Sequence, residues 1–217
     1  DPATGVALAD GAGATAADLG FDPANVTALD ATSLGALDDN AFKKFSSDQI
    51  GTLDAAAVGG LSSDQLGSLA PGAVAGLTGA QLGGLSTDAI AGFSGSQAAG
   101  LNANAIGSLT SDQLGGMTAD AMGGFGATQT AAFDTTAVAG LGADQLGGMT
   151  GAAMSGLGKD QMAALDPLAM GGLGATQAAG MAPTAMSGLG KDQMAALDPT
   201  AMGGLGATQA AGMAPTA

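Results

Sequence analysis

Leu109-Thr110-Ser111-Asp112-Gln113-Leu114-Gly115-Gly116 is one copy of an eight-residue unit that runs in unbroken phase from residue 21 to residue 217, as 24 complete octads and the first five residues of another. Position one is Leu, Phe or Met in all 25 copies, and position six is apolar in 23 of 24, with Thr130 the exception. A repeat this regular is an architecture and sets the frame for every local motif. Position two is Asp, Ser, Thr or Asn in 16 of 25 copies and Gly in six more, the set that caps a helix N-terminus well or at little cost. Six of the seven prolines fall at position three, where the first residue of a helix has no use for its N–H. Gln at position five, three residues after the cap, completes capping-box spacing in Ser62-Ser63-Asp64-Gln65 as in the copy quoted above. The large residues at positions one and six then form a hydrophobic staple, and the Gly, Ala or Ser at positions seven and eight ends the turn.

Each octad therefore reads as one capped helical turn followed by a break. A helix of five or six residues is far below the roughly 12–15 at which isolated helices become marginal in water, so neighbouring turns must hold one another. The expected fold is an all-α solenoid of very short capped helices, one per octapeptide, with Leu109, Leu114, Met117, Met122, Phe125, Leu141 and Leu146 in its core. The expected caps include Ser62, Thr110, Asp166 and Asp198. A β-solenoid is the alternative. It ranks second because Asp, Ala, Gly and Gln are poor strand formers and the apolar spacing alternates five and three, not two. Disorder ranks third: Leu, Ile, Val and Phe total 38 residues and the net charge is −15, but a disordered tract has no reason to keep its large side chains in register.

A second period is superposed on the first. The eleven Gln residues lie 16 apart, and the intervening octads carry Ala at position five. The simplest arrangement is two octads per coil, which makes a two-layer rod with a Gln ladder through Gln81, Gln97, Gln113, Gln129 and Gln145 on one side and an Ala ladder on the other. Segments 154–185 and 186–217 are identical except for Leu168 against Thr200, a mark of recent duplication. Residues 1–20 do not hold the phase and are expected to be an N-terminal cap, leader or donor segment, with 21–217 as the solenoid.

Composition removes most chemistry. Cys, His, Trp, Tyr, Arg and Glu are all absent, so no thiolate, imidazole base, disulfide or ordinary zinc or haem site is available, and the expectation is a non-enzyme without cofactors. All eleven Met occupy positions one or six, which makes them adaptable core fillers and not a soft-metal site. Of 19 Asp, 15 fall at positions two or four, where a negative charge caps N–H groups and complements the helix dipole. Weak divalent-cation binding to such an acidic surface is a secondary expectation. Four lysines in a chain of this charge cannot make a nucleic-acid patch, and no stretch is long and apolar enough to span a membrane.

Units such as Leu61-Ser62-Ser63-Asp64-Gln65-Leu66-Gly67-Ser68 and the 109–116 copy resemble the Leu-Thr-x-x-Gln octapeptide repeats of large bacterial secreted and surface proteins. The resemblance covers most of the chain from residue 21 and departs from the family pattern in the alternate Ala octads and the abundant Gly. It implies an extracellular structural or adhesive setting, and it carries no active-site residues. The expected function is a repeat-built rod that self-associates head to tail into an extracellular filament or surface stalk. The alternative is a repeat surface that binds a ligand, either ice or divalent cations weakly, motivated by rows of Thr at 176, 184, 200, 208 and 216.

Overall fold

The computed structural model describes Val26 and residues 29–213. Among the described residues every regular element is a helix of three to six residues, one in nearly every octad, and no strand occurs. The proposed cap and leader at 1–20, and Thr216 of the Thr rows, lie outside the described residues.

The local logic of the octad is visible at atomic detail. In the helix Ser111–Gly116 the N-cap Thr110 has extended backbone, its hydroxyl accepts from the Gln113 N–H at 3.3 Å, and Gln113 Oε1 accepts from the Thr110 N–H at 2.9 Å. Ser62 makes the same reciprocal box with Gln65. Asp198 accepts from the Ala201 N–H and Asp166 from the Leu168 N–H, each ahead of a proline at the first turn. At Ala70 no side chain caps the turn, and a 3-10 helix forms at Val74–Gly76. The cap does not decide the helix type, since uncapped Ala182 precedes an α-helix at Pro183–Met186 and capping Asp166 precedes a 3-10 helix at Pro167–Gly172.

Stacking follows a rule that the Gln period obscures. The helix Ala119–Gly124 packs on Gly95–Gly100 on one side and on Ala143–Gly148 on the other, and Ser111–Gly116 packs between Thr87–Ile90 and Thr135–Val138. Every extensively packed helix pair is three octads apart, so one coil contains three octads and not the expected two. The rod is three-faced: octads beginning at 45, 69 and 93 open its first face, those at 53, 77 and 101 its second, and those at 61, 85 and 109 its third. The 23 described octads, residues 29–212, thus make nearly eight coils, a rod of roughly 60–80 Å at the 8–10 Å spacing usual for packed helices.

Glycine explains how three short helices close a coil this tightly. A Cβ on Gly140, at position eight, would overlap the carbonyl of Ser111 in the coil below, and Gly124 stands in the same relation to Gly95. The backbones touch there, and any larger side chain would force the coils apart.

A single apolar core runs along the axis. Leu109, Leu114, Met117, Met122, Phe125, Leu141 and Leu146 are all buried, as their positions one and six require. Position five also points inward: Ala89, Ala121 and Ala137 are buried, and so are Gln81, Gln97 and Gln113, whereas Gln129 and Gln145 are half-buried. Thr130, the break in the apolar pattern, is fully buried because its hydroxyl donates to the Ala153 carbonyl at 2.6 Å in the next coil. Toward the far end the core opens, with Met202 44% exposed where its counterparts Met154 and Met170 are inaccessible.

Candidate functional site

The most organised chemistry in the molecule is the glutamine at position five. Each Gln does two jobs with one amide. Its oxygen caps its own helix, and its Nε2 reaches into the coil below, where the end of one helix leaves carbonyls without intrahelical partners. Gln113 Nε2 donates to Leu82 O at 3.1 Å and to Leu85 O at 2.7 Å. Gln81 does the same to Ile50 and Leu53, Gln97 to Leu66 and Leu69, and Gln129 to Ala98 and Leu101. Gln145 reaches Gly115 and Met117. The carbonyls lie 28 to 31 residues back in the chain, at the corner between two faces of the coil below.

The amide ladder expected from the 16-residue period is therefore replaced by a bridge of amide to backbone. With three octads per coil, the residues 24 before and after Gln113 are Ala89 and Ala137, so no face carries a column of Gln and none a column of Ala. Gln and Ala alternate up every face, and the full structural repeat is two coils. Among the described residues no buried side-chain nitrogen or oxygen lacks a partner, so these interior amides are satisfied.

In the later coils the cap hydroxyl disappears and the amide remains. Gln129, Gln145 and Gln161 accept from the N–H groups of Gly126, Gly142 and Gly158 at 2.9, 3.1 and 2.7 Å. Half of the capping box is thus enough once the same Gln is anchored to the coil below. No family model matches this chain, and no curated protein matches it at a significant level. The bridge therefore stands on its geometry alone.

The described ionisable side chains lie on the surface, with Asp38 alone among them partly covered. Hydrogen bonding to the Ser33 N–H and hydroxyl holds the Asp30 carboxyl below the usual carboxylate range, and the Thr136 hydroxyl and N–H do the same for Asp134. Lys191 and Asp192 approach to 3.8 Å with both side chains solvent-exposed, a pair of negligible energetic weight. Among the described residues no three acidic side chains converge in a way that could hold a metal ion, and no helix is long and apolar enough to cross a membrane. A shallow groove on the first face, lined by Thr118, Ala119, Asp144 and Gly172, holds one carboxylate and no nucleophile–base pair.

Proposed function

We propose that the protein is a non-enzymatic structural rod, set outside the cell or on its surface, and that it extends head to tail into a filament or serves as a stalk. The observation that carries this reading is the uniform axial connection. Each coil joins the next through the same apolar layer, the same glycine–backbone contact and the same Gln bridge, which suits a spacer whose length scales with repeat number. A head-to-tail contact of this kind does not close on itself and propagates.

Electron microscopy of the purified protein tests the reading. Rods longer than the roughly 60–80 Å of one solenoid support the filament. Particles of one rod length, monomeric by light scattering at high concentration with and without calcium, leave the stalk as the surviving form. A second reading, an ice-binding array, is favoured by Thr176 and Thr200, which occupy the same position in adjacent coils of the second face, and by Thr184 and Thr208 on the third. Ice-recrystallisation and calcium-titration assays separate it and weak cation binding from a plain scaffold.

A further inference from the structure

Folding the octads three to a coil sorts the charges by face, a pattern invisible along the chain. Between residues 77 and 188 the chain has eight charged side chains, and all eight fall on the first and third faces. The five second-face octads in that span, at 77–84, 101–108, 125–132, 149–156 and 173–180, have none. Their exposed polar positions are Thr78, Asn102, Asn104, Thr128, Thr150 and Thr176, with Gly, Ala and Ser between them. The third face, by contrast, stacks Asp64, Asp88 and Asp112 in consecutive coils. The nearest carboxylate along the coil, Asp134, caps the first helix beyond the corner.

We propose that the second face is a lateral docking surface for a second copy of this chain, pairing two rods side by side. The charge distribution selects the occupant. At a net charge of −15, two copies repel wherever their first or third faces meet. Between residues 77 and 180 the second face, whose Asp30, Asp54 and Asp198 lie beyond that span, lets them approach without bringing carboxylates together. Two copies also share one coil spacing, so helices of one rod fit between helices of the other along the whole span in a self-complementary contact. Ala and Gly lose no side-chain entropy on burial. Five helices of four to six residues, about 6–9 Å long, at 8–10 Å spacing present roughly 300–400 Å² per partner, so the pair buries on the order of 600–800 Å², the size of a weak, transient contact. The pairing is thus weak between single rods and is reinforced wherever rods are long or tethered.

The test places charges on this face without harming the fold. Position four of the octad already accepts Asp on the other two faces, at Asp112, Asp120 and Asp144, so Thr128→Asp with Thr176→Asp suits the scaffold. The matched control, Ser96→Asp with Thr184→Asp, adds the same two charges to the first and third faces. Sedimentation velocity over a range of protein concentration and salt, with circular dichroism to verify helix content, should show reversible dimers for the unmodified chain and the control. The second-face variant should weaken association at least tenfold. A chain that stays monomeric at every concentration overturns the proposal, as does equal weakening in both variants. Loss of ice-recrystallisation inhibition in the second-face variant, from a parent that inhibits but stays monomeric, assigns the face to ice instead. Rod length in micrographs reads head-to-tail growth separately, because the variant should narrow paired rods without shortening them.

Discussion

Gln113 and Ala121 occupy the same position of consecutive octads and both are buried, yet the structure uses them in opposite ways. Gln113 spends every polar atom of its amide on backbone, capping its own helix and holding the ends of helices one coil below. Ala121 contributes only its smallness. The octad that carries it receives Gln145 from the coil above, whose amide comes down onto the Met117 carbonyl. A small residue beneath each Gln leaves room for that descent, and the strict alternation supplies one. What looks like a two-residue ladder in the sequence is therefore a division of labour between a bridge and the space it needs.

At position six the two octad types should behave alike. Leu114→Asp and Met122→Asp each place an unpaired charge at a fully buried site and are expected to cost several kcal/mol, measured by chemical denaturation. A tolerant Ala octad would show that only the Gln octads hold the rod together.

Octad deletions probe the alternation directly. Removing residues 109–116 sets Gln129 over Gln97, whereas removing 109–124 sets it over Ala89 and preserves the pattern. The shorter deletion should therefore be the less stable protein, by roughly 1–3 kcal/mol at the one overpacked junction. Equal melting of the two would mean that the alternation is not a packing requirement.

Single exchanges sharpen the same comparison. Gln113→Ala strands the Thr110 N–H and the Leu85 carbonyl, while the Leu82 carbonyl keeps the Leu85 N–H, and should destabilise by about 2–3 kcal/mol. Ala121→Gln overpacks a site with no accessible surface and should cost about 1–3 kcal/mol, with no compensating gain. Stabilisation by the second exchange would refute the volume argument. Smaller still is the cap: Thr110→Ala should cost about 1 kcal/mol or less, because Gln113 retains half of the box, as Gln161 does over Gly158.

The weakest effect is pH dependence. The Asp30 and Asp134 carboxyls titrate below their ordinary value in the folded state, so their contribution is present above that value and fades as pH falls through the lowered one. Asp134→Asn should flatten the acid limb of the stability curve slightly.

The octad itself was legible in the chain. Capping residues, position-three proline and paired large residues at one and six are local signals, and a short helix is decided by interactions within a few residues. Each cap expected at Ser62, Thr110, Asp166 and Asp198 forms, and each core residue named from its phase is buried. The inward role of position five was also there to be read, since only Ala and Gln occupy it from Gln49 onward. It was missed because Gln is usually a surface residue, and the carbonyls that make its burial tolerable lie some 30 residues away.

The number of octads per coil was decided only by tertiary structure. A 16-residue period fits two octads per coil as well as three when it is read along a line, because composition records which residues recur and not which ones meet. Three wins where backbone meets backbone, in the approach of Gly140 to Ser111 and the reach of Gln113 to Leu85, contacts that span 29 and 28 residues. The sorting of charge onto two of three faces follows from that closure. The sequence by itself determined the helical turn, its caps and its apolar stripe, because those are short-range. How the turns wind, and hence which side chains share a face, depended on long-range packing of backbones with almost no side chains between them.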